Sequence, residues 1–214
     1  WSELNKTMQA QIKKKDTYKM GIDTLFNLRR QLMQTLVSFK EDLCREDFNA
    51  IPFINADGYH SKTIAYSIWH IFRIEDIVAH TVITEDEQVF FTGNYQVRIN
   101  SPIITTGNEL VKQQIADFSK QLNLEELYSY IFEVRESTEK ILERFSYDEL
   151  KWKIPDERKG YLKSLNVVNC DEKAIWLIDY WCSKDIRGLI QMPFSRHWIM
   201  HTEACLRIKN KMHS

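Results

Sequence analysis

The sequence is poor in glycine and proline, the residues on which sharp turns depend. Its 214 residues include six glycines and four prolines, which is under half of average usage. We therefore expect few sharp turns, with long regular elements between them. This scarcity argues against a sandwich or barrel of many short strands and predicts an all-α domain.

Paired cysteines and long apolar runs are also missing. The four cysteines form no C-x-x-C pair, which excludes a thiolate zinc knuckle and a thioredoxin-type motif, and they are too few for a disulfide framework. No stretch approaches the roughly 20 apolar residues that cross a bilayer. The first fifteen residues contain no apolar core of a signal peptide. These features predict a cytoplasmic protein that does not enter membranes.

Neither sign of charge dominates the chain. Lysine and arginine number 29 against 30 aspartates and glutamates, for a net charge of −1. A nearly neutral chain lacks the field that holds polyanions or an anionic membrane, so we expect neither nucleic acid nor membrane as a partner. Apolar residues make up 43% and charged residues 28%, which fits one globular domain with a sizeable core.

Apolar residues recur at intervals of three and four along four stretches, which is the pattern of a buried helix face. The predicted helical segments are about 20–48, 61–84, 108–151 and 171–211. The second is apolar nearly all round and should lie centrally. The third is predicted to have a joint near Asn123, and the fourth an interruption near 188–193. Ser61 and Ser195 are the predicted N-caps of the second helix and of the last one.

The remaining stretches break the helical period. Residues 1–19 are polar and are predicted to be a frayed helical extension. Residues 85–107 are predicted to be an irregular insertion, and residues 155–170 a second irregular segment. The sequence thus predicts one all-α domain over 1–214, with its core over about 20–212. Its predicted architecture is a four-helix bundle with the insertion between the second and third helices.

The last helix carries two histidines where a plain bundle would have leucine. At about 100° per residue, its inward stripe consists of Phe194, His197, His201, Ala204, Cys205 and Ile208. A His-x-x-x-His pair places two imidazoles one turn apart on one face, so both can chelate one ion. Chance also produces this spacing, and hydrogen-bonded core histidines are the alternative. No glutamate lies within the pair as in H-E-x-x-H, which disfavours a zincin-type protease.

His70 of the second predicted helix adds a third imidazole, although a satisfied core histidine is again the ordinary interpretation. If the facing helices bring it to His197 and His201, a bound metal would keep an open coordination position, which is typical of catalytic sites. Three neutral imidazoles leave the ion its full charge, so a bound water or thiol becomes more acidic. With Ser195 as the cap, the helix dipole would also favour an anion on the ion.

Two motifs around these histidines resemble those of a known family. Residues 69–76, WHIFRIED, resemble the second-helix motif of the DinB/YfiT-like superfamily of metal-dependent enzymes. Its last-helix motif, with histidines four apart, resembles residues 191–204, QMPFSRHWIMHTEA. The resemblance implies a four-helix bundle in which His70, His197 and His201 bind one divalent metal ion, zinc or nickel.

The resemblance also implies a function. The family includes mycothiol-dependent isomerases and bacillithiol transferases, so we expect a hydrolase or a thiol S-transferase. Its substrate would be a small molecule, with a low-molecular-weight thiol as an expected partner, and homodimers are common in the family. This chain exceeds the shorter members mainly at 85–107 and 155–170, which we expect to cover the metal or to form a subunit contact. The alternative is a non-catalytic helical module in which a metal, or none, ties two helices together.

Other side chains near the motifs are candidates for smaller roles. Arg73 shares a face with His70 and could hold an anionic substrate group, although a salt bridge to another helix is more ordinary. Cys205 could be a fourth ligand, although core packing is more ordinary. Glu75 or Glu203 could orient an imidazole by accepting its hydrogen bond.

The other histidines and the aromatic cluster are predicted to lie outside the site. His80 is about 80° around the helix from His70, and His60 and His213 are predicted to be solvated. The aromatic residues predicted to pack in the bundle core are Trp176, Tyr180 and Trp181.

Overall fold

The apolar stripes of the sequence form α-helices in the computed structural model, which describes residues 1–213. The α-helices are α1 (Ser2–Gln11), α2 (Tyr18–Asp42), α3 (Arg45–Asn49), α4 (Ile64–Asp76), α5 (Val89–Thr92), α6 (Tyr95–Ile99), α7 (Gln113–Gln121), α8 (Leu124–Glu143), α9 (Glu157–Ser164), α10 (Glu172–Cys182), α11 (Ile186–Gln191) and α12 (His197–Met212). Residues 1–213 contain no β-strand, so the all-α prediction is confirmed. Within the same residues, no helix is long and apolar enough to span a bilayer.

Two π-helical stretches extend these helices. Ile77–Thr84 continues α4, and Met192–Arg196 joins α11 to α12. Short 3-10 turns lie at Gly58–His60 and Glu149–Lys151. The π-helical stretches make two long helical runs, and these runs carry the three candidate histidines.

Helices α2, α4, α8 and α12 pack against one another around the main core. Both α8 and α12 contact α4, and both also contact α2. Every residue of α4 is buried, as its apolar character all round predicted for a central helix. The largest buried side chains of this core include Trp69, Tyr130 and Trp198.

The N-terminal extension is helical, as predicted, but it packs against the domain instead of fraying. Helix α1 packs along α2 and buries Met8 and Ile12. A Cβ added at Gly21 would lie 2.5 Å from Ile12 Cγ2, so glycine is what allows this close approach. Met8 on α1 and Ile12 directly after it, together with the partly buried Trp1 and Leu4, hold a mostly polar helix against the domain.

Two of the predicted helices have boundaries in the structure that differ from the predicted ones. The segment predicted at 20–48 is divided, because Leu43 and Cys44 adopt extended backbone between α2 and α3. The N-cap of α4 is Thr63, whose Oγ1 accepts the Tyr66 N–H at 3.0 Å. Ser61, the predicted cap, lies before the helix and its Oγ donates to a turn carbonyl instead. The joint predicted near Asn123 is confirmed, since its side chain caps α8.

Buried polar side chains of α4 hold the insertion at 85–107, which contains α5 and α6. The Asp76 carboxylate accepts the backbone N–H groups of Val89 and Phe90 at 2.9 and 2.8 Å. The Arg73 guanidinium donates to the Ile104 carbonyl at 2.8 and 3.1 Å. These bonds place the end of the insertion beside α4, next to His70.

Candidate metal centre

His70 from α4 meets His197 and His201 from α12 where the two helices contact. Their ring centroids lie 5.1 Å apart for His70 and His197, 4.9 Å for His70 and His201, and 4.6 Å for His197 and His201. One ring nitrogen from each histidine lies within 4.8 Å of the others, and all three residues are buried. The structure therefore brings together the three histidines that the sequence singled out.

A backbone carbonyl orients His70. Its Nδ1 lies 2.6 Å from the carbonyl oxygen of Thr106, and because a carbonyl can only accept, Nδ1 carries the proton. The Nε2 lone pair is then free to bind a metal, in the arrangement by which proteins fix metal-binding histidines. Neither Glu75 nor Glu203, the two predicted candidates for orienting an imidazole, takes part in this hydrogen bond. A carbonyl has no side-chain signal, so the sequence could not have identified Thr106.

The ring nitrogens of the other two histidines test whether a metal fits. His197 Nδ1 and His201 Nδ1 are buried and have no hydrogen-bond partner among the described residues. A buried polar atom left in this state costs about 1–3 kcal/mol. Imidazole nitrogens suit zinc, nickel, copper and iron, and one ring nitrogen of each histidine lies within 4.8 Å of the others. The donor set therefore fits one divalent transition-metal ion.

Burial keeps the three imidazoles neutral at physiological pH. Loss of solvent lowers the pKa of His197 to about 4. It also lowers the pKa values of His70 and His201 well below the ordinary range, and repulsion from His197 adds to both shifts. Neutral imidazoles keep the lone pairs that metal binding requires.

This neutrality predicts that acid destabilises the metal-free protein. An unfolded histidine titrates near pH 6.5 and folded His197 near pH 4, so between these values the unfolded state binds more protons and unfolding becomes easier as the pH falls. From pH 7 to pH 5 we expect His197 alone to remove about 2 kcal/mol from the free energy of unfolding. Urea denaturation at both pH values should show a smaller loss in His197→Gln. Equal losses in the two proteins would contradict the expectation.

Two cavities open onto the histidines and share Tyr59, His70, Asn108 and His201. One measures about 540 Å³ and lies beneath the segments around residues 54–62 and 108–112. The other measures about 280 Å³ and lies against α10 and the start of α12. Together they have the size of a pocket for a small molecule. The histidines are thus buried from bulk solvent yet accessible from two sides.

The charged candidates on α4 serve the fold. Arg73 is buried, bonds the Ile104 carbonyl and lies 3.6 Å from Asp76, and it lines neither cavity. Glu75 forms two hydrogen bonds to Arg29, at 2.7 and 2.9 Å, and accepts the Trp198 indole N–H at 2.7 Å. Arg73 thus forms an ion pair, the more ordinary of its two predicted roles, although its partner lies on the same helix. The hydrogen bonds of Glu75 go to Arg29 and Trp198 and to no imidazole.

Three further candidates also lie outside the site. Cys205 is buried in the core, where burial raises the pKa of its thiol to about 12, and it does not join the histidine group. Glu203 lies on the exposed face of α12. His80 lies off the stripe, as predicted, and its ring bonds Asp86 at 2.6 Å and Ser137 at 3.0 Å.

Ser195 does not cap the final helix. It lies inside the π-helical stretch before α12, and its Oγ donates to the Ile190 carbonyl at 2.9 Å. Helical backbone continues from α11 through this stretch to His197, so α12 has no free N-terminus beside the histidines. The predicted dipole contribution to an anion on the ion is therefore wrong. The wider π turn accommodates Pro193, which would break an ordinary α-helix.

The aromatic residues of α10 do not all lie in the core. Trp181 is buried as predicted, but Trp176 is 49% exposed. Trp176 and Tyr180 form an edge-to-face pair with ring centroids 5.6 Å apart, and both line the smaller cavity. The sequence predicted that all three aromatic residues of α10 pack in the core. The neighbouring helices instead leave part of this face of α10 open to the cavity.

The segments at 85–107 and 155–170 have different positions. The insertion at 85–107 covers one side of the histidines through Thr106 and Gly107, and Gly107 adopts a φ of +76° against Trp69. The segment at 155–170 packs through α9 on α10 and on the π-helical end of α4. None of its residues lines either cavity. A subunit contact at these segments stays a prediction.

No model of a known protein family matches the chain. No curated protein matches it either. The histidine cluster and its two cavities are therefore the features that indicate a function.

Proposed function

We propose that the protein is a metal-dependent enzyme of the DinB/YfiT-like kind. In this proposal α2, α4, α8 and α12 form the four-helix bundle, and His70, His197 and His201 hold one zinc or nickel ion. The observation that carries the proposal is the buried three-histidine cluster with cavities opening onto it. Structural metal sites are closed by four protein ligands, whereas three ligands leave a position for water or substrate.

The chain's own residues would prepare the centre for chemistry. Thr106 fixes the His70 tautomer, and the Tyr66 ring stacks on His70 with centroids 5.3 Å apart, which limits rotation of the imidazole. The neutral rings add no negative charge to the site. A divalent ion bound there would lower the pKa of a water or thiol coordinated to it.

We propose hydrolysis or thiol S-transfer of a small molecule as the reaction. For either reaction a bound divalent ion would supply an acidified water or thiol as the nucleophile, and a substrate would have to reach it. The two cavities provide that access, which a module using the metal only to tie α4 to α12 would not need. A low-molecular-weight thiol as cosubstrate and a homodimeric assembly belong to the same proposal.

Cobalt substitution tests the open coordination position. The Co²⁺-loaded protein should show visible absorption bands that shift when azide or 2-mercaptoethanol is added, because either ligand can take the vacant position. We expect His197→Ala to lose the bands and His213→Ala, altered at an exposed histidine outside the site, to keep them. Bands that do not shift when azide or 2-mercaptoethanol is added would indicate a closed structural site, and the catalytic proposal would fail.

The same loaded protein then serves for activity. We expect cleavage of simple esters or amides, or transfer of a thiol to an electrophile, at a rate that His197→Ala reduces to background. Activity equal in the two proteins would show that the reaction does not use this centre.

A further inference from the structure

The two cavities that meet at the histidines have opposite chemical character. The larger one is lined by Lys62, Lys112 and Lys173 against one carboxylate, that of Asp57. The smaller one has no acidic or basic side chain other than the neutral histidines in its lining, which is mostly aromatic and apolar: Ile74, Trp176, Tyr180, Trp181, Met192 and Met200. A molecule that occupies both would therefore need one charged end and one apolar end.

The lysines of the larger cavity form few ion pairs with acidic side chains among residues 1–213. Lys173 lies 3.5 Å from Asp171, but within residues 1–213 no ion pair involves Lys62 or Lys112. The Lys62 ammonium is half-buried over the Tyr66 ring, 5.1 Å from its centroid. Burial of this amine lowers its pKa to about 8. An anion in the cavity would supply the opposite charge that the protein does not.

A polar group marks the boundary between the two cavities. The Asn108 side chain lines both, and its Oδ1 is buried without a hydrogen-bond partner. An amide oxygen accepts hydrogen bonds, so it suits a hydroxyl or N–H group of a ligand that passes from one cavity to the other. This atom lies at the junction that the histidines also share.

We infer that the site takes a small organic carboxylate, with its charged group among the lysines and its aromatic or aliphatic body in the smaller cavity. Such a molecule would lie across the histidines, so that its middle atoms face the proposed ion. The inference rests on the proposed function, since it names the substrate class of the same centre. Lysines act as point charges without the planar fork of arginine, which suits a carboxylate without demanding one bidentate geometry.

Calorimetric titration with phenyl-substituted alkanoates, from phenylacetate to 6-phenylhexanoate, and with their matching alcohols tests this class. At least one acid should bind the zinc-loaded protein at least about tenfold more tightly than its alcohol, as expected for a charge-assisted contact. Lys62→Met should remove most of this preference. Trp176→Ala should weaken acid and alcohol alike, by about tenfold. Lys13→Met alters an exposed lysine that lines neither cavity, and it serves as the matched control.

The outcomes separate this inference from the proposed metal centre. An acid preference that survives both Lys62→Met and Lys112→Met, and that disappears when zinc is removed, would place the carboxylate on the ion and overturn the inference alone. Failure of every acid to bind a protein that does bind zinc would overturn it as well, as would tighter binding of phenyl phosphate than of any acid. A lysine-dependent preference that persists without zinc supports it.

Discussion

Zinc added to the metal-free protein is expected to raise the free energy of unfolding by about 4 kcal/mol once free zinc reaches about 1,000 times its Kd. Only the folded chain brings His70 of α4 beside His197 and His201 of α12, so the ion stabilises the folded state selectively. Urea denaturation of chelated and zinc-loaded protein measures the difference.

Matched variants show whether the stabilisation comes from this site. Removal of any one of the three imidazoles leaves two ligands, and we expect zinc affinity to fall by at least about 100-fold, beyond the effect of losing an orienting hydrogen bond. His70→Ala, His197→Ala and His201→Ala should therefore be stabilised by at most about 1.4 kcal/mol at the same zinc concentration. His213→Ala should behave as the native chain. Equal stabilisation of all five proteins would place the metal elsewhere.

Replacement of Arg29 by methionine is expected to lower the free energy of unfolding by about 3–5 kcal/mol. Arg29 and Glu75 are fully buried and joined by two hydrogen bonds. Without the guanidinium, the Glu75 carboxylate keeps the Trp198 indole N–H but loses its counter-charge in the core. Urea denaturation at pH 7 measures the loss.

A double variant separates the buried charge from lost packing. Arg29→Met combined with Glu75→Gln removes both charges, so we expect it to recover a large part of the stability lost in Arg29→Met. Arg29 also donates to the Phe194 carbonyl at 3.1 Å, which ties α2 to the π-helical stretch before α12. A double variant less stable than Arg29→Met would contradict this assignment of the cost to the unpaired carboxylate.

Local periodicity predicted much of the structure around the site. The inward stripe of α12 is buried, while Arg196, Glu203 and Arg207 lie exposed on the opposite face. The two faces of α12 could be predicted because an α-helix repeats every 3.6 residues, so its buried face follows from the spacing of apolar residues. Scarce glycine and proline likewise predicted the all-α class correctly.

Periodicity could not assign the charged residues of α4. Arg73, Glu75 and Asp76 are all buried, and each is paired with groups distant in the sequence or with backbone of the insertion. Their residue types suit substrate binding as well as structural pairing. Only the position of the surrounding helices distinguishes the two roles.

The sequence by itself determined the helical class and the two faces that carry the histidines, because both follow from interactions between residues near in sequence. Tertiary structure alone decided that the Thr106 carbonyl orients His70, that helical backbone runs through Ser195, and that three lysines line a cavity at the histidines. These features depend on contacts between distant segments and on backbone groups. Every residue has such backbone groups, so their roles leave no mark in the order of side chains.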